Sequence, residues 1–236
     1  MEKMVAELID FHNRHVGVPG FVIGAGPSMS IIDKKIIANF PCIAVNSSIL
    51  FDGNIKYWVS DDIAVSNWSY FHEELRKSDC VKFMYRSKLN AFSNIFGAEK
   101  TVLFDHDWWF EPSTGRKNMN GVVIKRDSSS SLIGARTSSG TALHIMAIMG
   151  CDPIIMLGMD GGVKDGRRYF WEGHKKARRL DGKPVRGPWD AFDYLGVVEY
   201  FSDIYAMNKG SIEIFDATPG NPMNVFPSID WKSFIS

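Results

Sequence analysis

The sequence predicts an α/β fold built on a mostly parallel sheet with helices on both faces. Three observations carry that expectation. Short apolar runs at residues 21–23, 42–45, 56–60, 80–85, 101–104 and 152–157 have strand length, and each ends at a glycine or a polar residue. Stretches with helical spacing lie between several of them. A glycine turn at Gly24 and Gly26 joins the first of these runs directly to a helix start.

At 236 residues and 45% hydrophobic content, the chain suits one domain with a sizeable core, spanning residues 1–236. Lys plus Arg and Asp plus Glu number 27 each, so no global field draws in nucleic acid or an acidic membrane. Cys42, Cys80 and Cys151 are far apart and sit in apolar runs, which favours buried thiols over a disulfide framework or a metal site. The first residues mix Glu2, Lys3, Glu7 and Asp10 with apolar positions, unlike a signal peptide. No apolar run approaches the roughly 20 residues of a membrane span. A cytoplasmic protein with no membrane span is the expectation.

Val5, Leu8, Ile9 and His12 share one face of an expected opening helix, which residues 17–20 terminate with two glycines and Pro19. In the turn that follows, Gly24, Ala25, Gly26, Pro27 and Ser28 offer free N–H groups at a helix start, a favourable place for an anion. The turn is neither a dinucleotide fingerprint, whose third glycine would fall at Met29, nor a P-loop. A helix is expected over residues 31–40. Asn46 then stands at a strand's carboxyl end, as a ligand contact or as a turn residue. Asp61 and Asp62 end the next strand, where they suit a divalent cation or a ribose, or one of them caps the following helix.

Residues 105–136 read as an irregular insertion. Within it Asp105, His106, Asp107 and Glu111 beside Trp108, Trp109 and Phe110 offer a metal or sugar site, or an accidental spacing. Ser138, Ser139 and Gly140 open an apolar helix in which His144 is expected to be a packed residue. Gly158, Met159 and Asp160 close a buried strand and place a carboxylate where it can meet a ribose hydroxyl. Residues 164–186 hold nine basic and three acidic residues, with Tyr169, Phe170, Trp171 and His174 interleaved. That composition suits a lid over residues 161–188 that closes on phosphates, or a patch for a polyanionic acceptor, or a solvated loop. A last helix near residues 189–208 and a strand at 211–215 precede a turn-rich tail.

Taken in order, Gly24-Ala25-Gly26-Pro27-Ser28, Asn46, Ser138-Ser139-Gly140 and residues 154–160 resemble the bacterial sialyltransferases of the lipopolysaccharide type. They are equally similar to the wider DUF115 group, which includes 6-hydroxymethylpterin diphosphokinase-like proteins and flagellin glycosyltransferases. The tail at residues 212–221 is similar to that wider group as well. The resemblance implies a Rossmann-like fold that holds a CMP-sugar without an essential metal. It sets residues 24–28 and Asn46 against the nucleotide, and completes the nucleoside pocket with Ser138, Ser139, Gly140, Gly158, Met159 and Asp160. Asp61 replaces an asparagine of those transferases, and Tyr169 is the nearest match to their phosphate-binding tyrosines. Their histidine before the last helix has no counterpart here, where the chain reads Gly187-Pro188-Trp189-Asp190.

The leading expectation is a glycosyltransferase-like enzyme. Arg167, Arg168 and Tyr169 would stabilise the leaving phosphate, and His174, Asp190 or Asp61 would take the proton of an acceptor hydroxyl. That acceptor is a glycan, or nucleic acid held by the basic lid. The alternatives are an ATP-dependent diphosphokinase with magnesium on Asp61 and Asp62, and a non-catalytic nucleotide-binding protein.

Overall fold

The computed structural model describes residues 6–52, 54–62, 65–66, 69–97, 99–111, 116–127, 132–134, 137–161, 167, 169–171 and 191–235. Twelve strands are formed among these residues: β1 (Ala6–Glu7), β2 (Gly20–Ile23), β3 (Cys42–Val45), β4 (Tyr57–Ser60), β5 (Val81–Tyr85), β6 (Thr101–Phe104), β7 (His106–Trp108), β8 (Phe110–Glu111), β9 (Arg116–Lys117), β10 (Leu132–Gly134), β11 (Ile154–Leu157) and β12 (Ile214–Asp216). Eight of them make one sheet in the order β1-β6-β5-β4-β3-β2-β11-β12. Every neighbouring pair in it is parallel. This is the expected α/β, Rossmann-like architecture.

Both faces are covered, as an all-parallel sheet requires. Successive strand residues point to opposite sides, so Val22, Ile43 and Val59 enter one core while Phe21, Ala44 and Trp58 enter the other. The helices divide accordingly. On the first side lie α4 (Ser138–Ile148) and α5 (Ala191–Asn208); on the second lie α1 (Lys35–Asn39), α2 (His72–Lys77) and α3 (Leu89–Phe96). All eleven residues of α4 are buried, which makes it the central helix of its layer.

Several local expectations are corrected. The opening segment is not a helix in its described part. Ala6 and Glu7 pair with Val102 and Leu103 at the sheet edge, and a 3-10 turn, Leu8–Phe11, follows. Its apolar residues still go inward, through Leu8 and Phe11. The helix expected over residues 31–40 is instead a 3-10 turn, Pro27–Ile31, and the short α1. The irregular insertion contains order: β7 pairs parallel with β10, and β8 antiparallel with β9. No helix among the described residues is long and apolar enough to cross a membrane. All three cysteines are free and buried. Burial pushes the Cys151 thiol up to about 12.

Candidate functional site

Strand order alone points to one place. The chain passes outward from β2 through β3, β4, β5 and β6, then returns to lay β11 and β12 on the other side of β2. The order reverses between β2 and β11. In open α/β sheets such a reversal leaves a crevice outside the carboxyl ends of the two strands, which is where ligands bind. Here its walls are residues 24–28 after β2 and residues 158–160 after β11.

The two walls touch. Gly24 N–H donates to the Leu157 carbonyl at 2.7 Å and Gly26 N–H to that of Gly158 at 3.0 Å, extending the ladder beyond the strands. A Cβ on Gly24 would lie 2.5 Å from the Gly158 oxygen, and one on Gly26 would collide with the Asp160 carboxylate. These glycines therefore serve first the approach of one loop to the other. Ser28 Oγ donates to Asp160 Oδ2 at 2.6 Å, and Ser28 N–H reaches Oδ1 and Oδ2 at 3.2 and 3.3 Å. The amide that the sequence offers to an anion is occupied by Asp160, itself only 8% exposed.

The other candidate residues line the same edge of the sheet. Asn46 follows β3 with a φ of 52°, a left-handed conformation that asparagine tolerates. Trp58 Nε1 donates to the Asn46 carbonyl at 2.8 Å, whereas the buried Asn46 Oδ1 has no hydrogen-bond partner among the described residues. Asp61, after β4, meets the amino end of α4. Its Oδ1 accepts from Ser138 Oγ and its Oδ2 from Thr141 Oγ1 at 2.8 Å, while its N–H donates to Ser138 Oγ at 3.2 Å. A carboxylate there complements the positive end of the helix. Asp61 thus caps α4, a helix that begins 77 positions later in the chain. Thr137 caps the same helix, accepting from Ser139 N–H at 3.0 Å.

An aromatic tripeptide lies against these loops. Phe170 N–H donates to the Ala25 carbonyl at 3.1 Å, and Trp171 Nε1 donates to Ser47 Oγ at 3.1 Å. The Trp171 ring packs 4.3 Å from that of Tyr70 and stacks on Tyr169 at 4.8 Å with 8° between planes. Tyr169 therefore stands beside the β2 and β3 ends, and Arg167 is exposed next to it. Arg168, His174 and Asp190 lie outside the described residues, as does most of the basic segment.

Elsewhere, two candidate residues are engaged by neighbouring groups. His144 is fully buried; its Nδ1 accepts from Ile133 N–H at 2.7 Å and its Nε2 lies 2.7 Å from the Lys125 carbonyl. Burial lowers its pKa to about 4, which keeps the ring neutral and makes it a stitch between α4 and the strand β10. In the aromatic insertion Asp105 is held by Arg86 at 2.9 Å. Three further residues, Tyr200, Thr141 and Ser47, bear on the site. Tyr200 buries a phenol that has no hydrogen-bond partner among the described residues against Gly140, close enough to Asp61 for that charge to raise its pKa further after burial has done so. Thr141 and Ser47 are small hydroxyl residues whose roles depend on tertiary neighbours. Thr141 belongs to the run of small hydroxyl residues that marks the start of α4, and a helical phase places Tyr200 on the buried face of α5.

Strand order and loop geometry define an α/β fold of Rossmann-like architecture with a crevice at the reversal of strand order. Comparison of the chain with protein-family models, with curated proteins and with solved structures gave no match.

Proposed function

We propose that the chain is a nucleotide-dependent transferase whose donor is a nucleotide-sugar, a CMP-sugar in the first instance. One observation carries the proposal. The loops after β2 and β11 close on each other at the reversal of strand order, with Tyr169 and Trp171 laid beside them. The ordered likeness of these loops to the lipopolysaccharide-type sialyltransferases supports the choice of donor. The nucleoside would lie along residues 24–28, Asn46 and residues 158–160, with Asn46 Oδ1 as an acceptor awaiting a donor. Arg167 and Tyr169 would face the departing phosphate.

In the transfer, the acceptor hydroxyl oxygen bonds to the anomeric carbon as the bond from that carbon to the phosphate oxygen breaks. The nucleotide leaves with the electron pair and the hydroxyl proton passes to a base. Asp61 already receives two hydroxyl hydrogens, which favours His174 or Asp190 for that role.

The test is a thermal-shift panel of nucleotides and nucleotide-sugars, with magnesium or with chelator. Stabilisation by CMP or a CMP-sugar in chelator, lost in Ser28→Ala relative to its own unliganded melting point, is the expected result. Stabilisation by ATP with magnesium alone would replace the proposal with a diphosphokinase. Absence of any shift would overturn the pocket assignment.

A further inference from the structure

One wall of the crevice is a sharp turn. Gly158 and Gly161 have φ of 74° and 64°, with Met159 and Asp160 between them. Left-handed glycines allow the chain to reverse here, but glycine is the residue with most freedom to lose, so the turn needs contacts from outside to fix it. The opposite wall supplies some: Gly26 N–H donates to the Gly158 carbonyl at 3.0 Å and Ser28 Oγ to Asp160 Oδ2 at 2.6 Å. Another comes from the β12 side, where Met159 N–H donates to Thr218 Oγ1 at 3.0 Å. Thr218 is buried.

Thr218 is in turn held by Asp216, its neighbour but one, at the end of β12. Its N–H donates to Asp216 Oδ1 at 2.8 Å. Burial pushes the Asp216 pKa up, and hydrogen bonds from the Thr218 hydroxyl and N–H oppose that rise. A hydroxyl has one hydrogen to give and lone pairs with which to accept. Giving its hydrogen to Asp216 leaves the Thr218 lone pairs for Met159 N–H. Asp216 itself is part of the sheet, paired with Met156 of β11, and the next residue, Ala217, donates its N–H to the Met156 carbonyl at 2.9 Å. A path of hydrogen bonds therefore leads from the rigid sheet to the glycine turn, through Asp216, Thr218, Met159, Asp160 and Ser28.

We propose that Thr218 is a positioning residue of the crevice, supported by Asp216: the pair holds Met159 and Asp160 in the conformation that receives the nucleoside. The inference rests on the proposed function and deepens it. Part of the control of nucleotide affinity then belongs to two buried side chains that act only through the wall, and a wall shifted by about half an ångström is enough to weaken a site.

The experiment is calorimetric titration of the full chain with CMP in chelator, each variant being measured below its own melting temperature. Thr218→Val keeps the shape of the side chain and removes the hydroxyl; Thr218→Ser keeps the hydroxyl. The Kd for CMP should weaken about tenfold or more in Thr218→Val and stay close to the wild type in Thr218→Ser. Asp216→Ala should weaken it by a smaller factor. Combining Asp216→Ala with Thr218→Val should weaken it no further than Thr218→Val alone, because both act through one contact. Hydrogen exchange at the Met159 amide reads the same contact without nucleotide. It should be slow in the wild type and in Thr218→Ser, and faster in Thr218→Val or, if that variant does not fold, in Asp216→Ala. Unchanged CMP affinity in folded Thr218→Val, failure of Thr218→Ser to retain it, or unprotected exchange at Met159 in the wild type would overturn the positioning role and leave the proposed function standing. No CMP binding by the wild type would remove the proposed function, and this role with it.

Discussion

At the scale of single residues, the crevice depends on one missing atom. Gly26→Ala sets a methyl against the Asp160 carboxylate and within 2.6 Å of the Gly158 oxygen, so the Ser28–Asp160 contact cannot persist. We expect a loss of about 1–3 kcal/mol in urea unfolding, together with loss of nucleotide stabilisation. His144 gives a pH signature. Unfolded, it takes up a proton near 6.5; folded, only near 4. Between these values the unfolded chain binds more protons, so stability is full above pH 6.5, falls as pH drops toward 4, and falls no further from this source below it. The contribution is on the order of 3 kcal/mol. Unfolding midpoints across that window should flatten in His144→Gln relative to the wild type. The sequence marks Ser28, Asp61 and Asp160 as polar groups at strand ends, but not whom they bind. Ser28 meets Asp160 only because β11 returns to lie beside β2, and Asp61 meets Ser138 only because α4 crosses over β4.

At the scale of elements, α4 is fixed at its amino end by Asp61 and against α5 by close packing. A Cβ on Gly140 would collide with the Tyr200 hydroxyl and lie 2.7 Å from Cε1. Gly140→Ala should cost about 1–3 kcal/mol. Tyr200→Phe removes an unpaired buried hydroxyl, so its stability should match or exceed the wild type. The double variant should recover part of the Gly140→Ala loss, giving a coupling readable in a double-mutant cycle; strict additivity would count against the packing described. Elements with strong internal patterns were legible in the sequence. Strands β2 to β6 and β11 are apolar along most of their length because both faces are covered, with Ser60, Lys82 and Thr101 the polar exceptions, and α4 and α5 are long. The opening residues were misread because Leu8 and Phe11 fit a helical period as well as they fit a 3-10 turn, and nothing local announces that Ala6 will pair with Val102. Strands β7 and β10 have three residues each, too few to show a period. Helix α3 had a signal, Leu89, Phe92 and Phe96 on one face, that went unread.

At the scale of the whole molecule, the crevice joins two parts of the sheet that arise far apart in the chain, Ser28 and Asp160 being 132 positions apart. A ligand seated there holds both, and nucleotide binding should raise the midpoint of a single unfolding transition, not protect one half alone. The margins of the sheet matter as much as its centre. On one margin β1 has only two residues, and its Glu7 carboxylate lies 3.7 Å from Arg86. On the other, the outward backbone groups of Asp216 are taken by the tail, with its N–H donating to the Pro227 carbonyl at 2.9 Å and its carbonyl accepting from Ile229 N–H at 3.0 Å. Removing residues 226–235 would bare that margin, and light scattering should then report self-association at concentrations where the intact chain is dispersed. The tail is therefore also a guard on colloidal behaviour: it keeps a broad, sticky ribbon from becoming a template for its neighbours.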